Sequence, residues 1–108
     1  MIKIGNKFLK YICNNPIAIH CETQEEFDAM LEFFEKKKMT WEDGSIPTAR
    51  EYYWGHSGAR TCIQLNGKVL NYSPKDYYLK RGYTVLKFIG KDEAYISLLR
   101  SLKGIIYE

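Results

Sequence analysis

Glu51 to Ser73, EYYWGHSGARTCIQLNGKVLNYS, is the stretch whose reading decides the fold. Its second half alternates on both sides of Asn66-Gly67, a pair that favours two-residue hairpin loops because it tolerates positive φ. This predicts strands over Thr61 to Leu65 and Lys68 to Tyr72, joined by a type I′ turn. Leu65 then pairs with Lys68, Ile63 with Leu70 and Thr61 with Tyr72. These six share the expected core face, and Cys62, Gln64, Val69 and Asn71 share the other.

Upstream of the hairpin, Met39 to Gly58 reads as one long irregular segment. Gly44, Pro47, Gly55 and Gly58 interrupt it, and Trp41, Tyr52, Tyr53 and Trp54 give it large apolar surfaces. A loop of that length in a small domain is functional or disordered, and the aromatics argue against disorder. Before it, Thr23-Gln24-Glu25-Glu26 is a capping box. Phe27, Met30, Leu31 and Phe34 follow at helical spacing, predicting a helix over Thr23 to Lys38. The Lys36-Lys37-Lys38 run fits the negative end of the helix dipole better than a phosphate contact. Lys3 to Ile12 alternates loosely and reads as an opening strand, Asn14-Asn15-Pro16 as a turn, and Ile17 to Cys21 as a short strand.

Downstream, Ser73-Pro74-Lys75-Asp76 predicts Ser73 as N-cap and a short helix over Pro74 to Lys80. Tyr83 to Ile89 reads as a strand. Asp92 is placed to cap a last helix with Tyr95, Leu98, Leu99 and Leu102 as its stripe, ended by Gly104. The apolar end Ile105-Ile106-Tyr107 predicts self-association as a homodimer or higher homo-oligomer.

The 108 residues suit a single domain, 1–108, with one modest core. The formal net charge of +3 permits an anionic partner, but no lysine/arginine tract marks a nucleic-acid arm, so nucleic acid is disfavoured. Cys13, Cys21 and Cys62 cannot all pair within one chain, which favours a reducing compartment. No run approaches a membrane span, and the N-terminal residues lack a signal-peptide core, so a cytoplasmic protein without a membrane partner is expected.

His20, Cys21, His56, Cys62 and Cys13 are the soft ligands, and their spacing matches no zinc pattern. Cys62 with His56 and Ser57 nearby could suggest a nucleophile, but nothing in the sequence supplies an oxyanion hole. No phosphate-loop or dinucleotide motif is matched, and no cofactor is expected. The remaining constellation is Tyr52, Tyr53, Trp54, Gly55, His56, Ser57, Gly58 and Arg60. Two glycines three apart can aim backbone amides at an anion, Arg60 can grip phosphate bidentately, and Trp54 or a neighbouring Tyr can stack on a base. The competing reading is that Trp54 anchors the loop to the core while the glycines only turn the chain.

The capped helix, the tryptophan loop, TCIQLNGKVLNYS, the short helix and GYTVLKF together resemble small phage and prophage proteins of low-GC Gram-positive bacteria. The matching residues are Trp54, Gly58, Cys62, Ser73, Gly82, Tyr83 and Phe88, within roughly residues 20 to 90. The tryptophan loop here is longer and carries EYYW. The resemblance implies a setting, a phage gene acting inside a bacterium. Some small phage proteins of this size inhibit host defence, either by sequestering a cyclic-nucleotide immune signal or by binding a defence protein directly, as anti-CRISPR proteins do.

These readings combine into an α+β fold: a small antiparallel sheet of about four or five strands, with one main helix on a face and a C-terminal helix beside it. Ile17, Ile19, Phe27, Met30, Leu31, Phe34, Ile63, Leu70, Leu86 and Phe88 are the expected core. The expected function is non-enzymatic capture of a small anionic nucleotide by the Trp54 loop. The alternatives are direct inhibition of a host defence protein and a nucleic-acid-binding module.

Overall fold

The computed structural model describes residues 2–90 and 94–96. The elements in order are β1 (Ile2–Lys3), α1 (Asn6–Cys13), β2 (Ile17–His20), α2 (Gln24–Lys36), β3 (Thr40–Trp41), a 3-10 segment (Pro47–Tyr53), α3 (Trp54–Ser57), a 3-10 turn (Gly58–Arg60), β4 (Thr61–Asn66), β5 (Val69–Pro74), α4 (Lys75–Lys80), β6 (Thr84–Gly90) and β7 (Ala94–Ile96). The fold is α+β. Among the described residues, no helix is long and apolar enough to cross a membrane.

Thr23 begins α2 as its composition requires: the hydroxyl accepts from the Glu26 amide at 3.2 Å and donates to the Glu26 carboxylate. Phe27, Met30, Leu31 and Phe34 are all fully buried. Each such side chain contributes roughly 1.5–3 kcal/mol by leaving water. The lysine run closes the helix with a Schellman motif. Lys38 takes the left-handed position at φ 60°, its amide donates to the Glu35 carbonyl, and the Met39 amide donates to the Phe34 carbonyl. Lys37 reaches Asn6 Oδ1 at 2.9 Å, tying α2 to α1.

The expected opening strand is a helix over most of its length. Phe8, Leu9 and Ile12 fall at i, i+1 and i+4 and are buried together against the α2 face of the sheet. The loose alternation in Lys3 to Ile12 fitted both periods, and the available sheet surface decides for the helical one.

Among the described residues, seven strands lie in the order β1-β7-β6-β2-β4-β5-β3. The sheet is mixed, which corrects the antiparallel expectation: β2 runs parallel to β6, and β3 parallel to β5. The cause is α4. The hairpin places β5 in the same direction as β2, and α4 carries the chain back before β6 begins. So β6 enters the far side of β2 parallel to it, where a tight turn would have forced the opposite sense. β2 is thereby central and buried along its whole length, with Ile17 and Ile19 in the main core and Ala18 against α4.

The hairpin keeps its expected faces but not its register. Asn66 pairs with Val69, Leu65 with Leu70 and Ile63 with Tyr72, so the two loop residues are Gly67 and Lys68. Gly67, the first loop residue, carries φ 63°, and Lys68, the second, does not share the left-handed region, as a type II′ turn requires rather than type I′. The slip is an even step, so side chains stay on their faces, but Tyr72 moves opposite Ile63. α4 likewise starts one residue late, with Pro74 rather than Ser73 at its N-cap and no side-chain cap. Ala94–Ile96, expected inside a helix capped by Asp92, instead forms β7 between β6 and β1. The rest of that helix, its Gly104 stop and the Ile105-Ile106-Tyr107 end lie outside the described residues. All ten expected core residues are buried.

Candidate functional site

The segment expected to be irregular is mostly helical turns pinned at both ends. Trp41 ends β3 and is buried, and its indole Nε1 donates to the Pro47 carbonyl at 3.0 Å. The turn after it closes on Asp43, which accepts from the Ser45 amide at 2.9 Å, from the Ser45 hydroxyl at 2.6 Å and from Arg50. The Ser45 hydrogen bonds, with Arg50 adding to them, hold the Asp43 carboxyl well below the usual carboxylate range. Thr48 donates its hydroxyl to Glu35 at 2.6 Å, fastening the 3-10 segment to α2. At the far end, His20 of β2 donates to the Ala59 carbonyl.

This framework gathers a ring cluster. Tyr53 stacks on Tyr72 with centroids 4.1 Å apart and 21° between planes. Trp41 meets Tyr53 edge-on at 4.9 Å and Tyr72 edge-on at 6.0 Å. His56 adds its ring at 5.6 Å from Tyr72, with Nδ1 2.6 Å from the phenol oxygen. Beside the cluster opens a cleft of 480 Å³, lined by Trp41, Glu42, Asp43, Tyr53, Leu70, Asn71 and Tyr72.

Of the residues singled out in sequence, Tyr53 and His56 belong to this cluster. Trp54 faces elsewhere: it is half-buried and packs on Phe27 at 5.9 Å, anchoring the loop to α2. Gly55 and Ser57 are in α3, and Tyr52 is in the turn before it. Gly58 ends α3 at φ 55°, with its amide donated to the Trp54 carbonyl. Arg60 lies 3.7 Å from Asp76, both exposed. An exposed pair of that kind is worth about 0–1 kcal/mol, so it positions Arg60 only weakly.

Trp41, Glu42, Asp43, Leu70, Asn71 and Tyr72 were not singled out as site residues. Trp41 is visible in sequence as a large apolar surface, but its contact with Tyr72 depends on the pairing of β3 with β5. A second depression of 590 Å³ lies along the start of α2, lined by Thr23, Glu25, Glu26, Asp28, Ala29, Glu32, Ile89 and Gly90. Both clefts are rich in carboxylates, and neither lining contains a basic side chain.

The nucleophile constellation is split by the sheet. Cys62 is buried on the α4 side with Ala18 and Tyr78, whereas His56 sits with Tyr72 on the opposite face. Burial pushes the Cys62 thiol up to about 12. Among the described residues, no group of three His, Cys, Asp or Glu side chains is placed to hold a metal ion. No protein-family model matches the chain, and neither a curated protein nor a solved structure is similar to it.

Proposed function

We propose that this chain is a non-enzymatic binding protein that holds a partner protein on the aromatic cleft, acting in the bacterial cytoplasm as a phage-type inhibitor of a host defence protein. The observation that carries the binding role is the cluster of Trp41, Tyr53, Tyr72 and His56 beside the 480 Å³ cleft. Aromatic side chains held before binding lose little entropy on contact, and such residues dominate protein interfaces. The phage and defence setting comes from the resemblance of the Trp54 loop, hairpin and closing strand to small phage proteins.

A protein partner is favoured over an anionic nucleotide by the state of the groups expected to grip phosphate. The Gly58 amide is donated within the chain, Arg60 lies beside Asp76, and Trp54 rests on Phe27. The cleft itself presents carboxylates, which repel phosphate.

The test is capture from a bacterial lysate by wild type and by Tyr53→Ala, beside calorimetric titration with a panel of cyclic and linear nucleotides. A protein retained by wild type and lost by a folded Tyr53→Ala variant is the expected result. A nucleotide that binds the wild type, or identical capture by both proteins, overturns the reading.

A further inference from the structure

We infer that the cleft beside Tyr53 and Tyr72 receives an arginine side chain of the partner protein, an inference that rests on the protein-binding reading above. Its lining combines aromatic rings from Trp41, Tyr53 and Tyr72 with the carboxylates of Glu42 and Asp43, and contains no basic side chain. Aromatic faces attract cations through their quadrupole, and a carboxylate beside them adds a charge-assisted hydrogen bond. Asp43 is balanced by Arg50, which contacts it from outside the lining. Glu42 is exposed and has no ion pair or hydrogen bond among the described residues. The three side chains together therefore carry one net negative charge at the cleft, although the whole chain is formally +3.

A guanidinium suits this shape better than an ammonium. It is flat, so it can lie on a ring and fork a carboxylate at the same time. The molecule contains the first half of that arrangement elsewhere: the Arg81 guanidinium lies over the Tyr77 ring, 3.6 Å from its centroid.

The experiment is an NMR titration of the whole chain with N-acetyl-arginine amide, its neutral citrulline counterpart and N-acetyl-lysine amide, on wild type and on Glu42→Gln. The expected result is saturable shifts at residues 41–43 and 70–72 with the arginine probe. Citrulline should bind about tenfold more weakly or worse, and Glu42→Gln should weaken arginine about three- to tenfold, as the loss of a charge-assisted contact implies. Equal binding of arginine and citrulline, a preference for lysine, or no saturable shift at these residues overturns the inference. Light scattering gives a further outcome: two chains in wild type and one in Glu42→Gln would assign the cleft to a second copy and overturn the partner-protein occupant. The lysate assay separates this inference from the reading it rests on. Capture lost in Tyr53→Ala but kept in Glu42→Gln overturns the arginine alone, whereas capture kept in both overturns the reading as well.

Discussion

Two tyrosine clusters lie on opposite faces of the same sheet. Under α4, Tyr78 is buried with Cys62 and Ala18, meeting Tyr77 edge-on at 5.1 Å and Tyr83 at 5.2 Å, and Arg81 covers the outer Tyr77 ring. Beside the 3-10 segment, Tyr53 and Tyr72 are half-buried, stacked on each other, and open to a carboxylate-bearing cleft. Ring count does not separate them. The first cluster seals a small core and carries its own cation, and the second is held by hydrogen bonds around a space. An aromatic-rich sequence therefore supplies both sealing and presenting surfaces, and the covering element decides which.

The largest expected effect tests the sealing side. Tyr78→Ala empties a buried site under a short helix and should cost about 3–5 kcal/mol, read as an early melt. A loss below about 1 kcal/mol would mean that α4 does not depend on this ring.

Alkali should act on the same face. Burial raises the Cys62 thiol from 9.0 to about 12 and the Tyr78 phenol from 10.0 to about 12. Both groups ionise more readily unfolded, so their stabilisation is complete below pH 9 and is lost as pH rises from 9 to 12. Tyr78→Phe should flatten the upper part of that decline in denaturant titrations. An unchanged profile in Tyr78→Phe would show that the phenol takes no part.

On the presenting side, Tyr53→Ala should cost only about 1–2 kcal/mol, because the ring is half-buried to begin with, while abolishing partner capture. A loss as large as that of Tyr78→Ala would dissolve the contrast and make the second cluster core. The smallest effect belongs to Arg81→Ala. Removing an exposed cation from a ring should cost about 0.5–1 kcal/mol and leave capture intact. Lost capture in that variant would move the interface to the α4 face.

Local chemistry by itself determined much of this molecule. The Thr23 cap, the stripe of Phe27, Met30, Leu31 and Phe34, the faces of the hairpin and the ten core residues all follow from side-chain period and capping, which act within a few residues. The even register slip shows the limit of that legibility. Face membership is set by alternation, whereas the turn type depends on whether Asn66 or Gly67 starts the loop, a small local difference that the pairing of whole strands can override.

Tertiary structure alone decided the sheet sense, the nature of α1 and the composition of the cleft. β6 pairs with β2 across more than sixty intervening residues, and no local signal records on which side of β2 it will enter. Phe8, Leu9 and Ile12 could serve a strand or a helix until the α2 face of the sheet offered them a common surface. Trp54 was the prominent residue in sequence, yet Phe27 draws it toward the core, while Trp41 and Tyr72, far apart in the chain, meet Tyr53 because β3 pairs with β5. Contacts between distant segments carry no periodicity of their own, so only the folded chain assembles them.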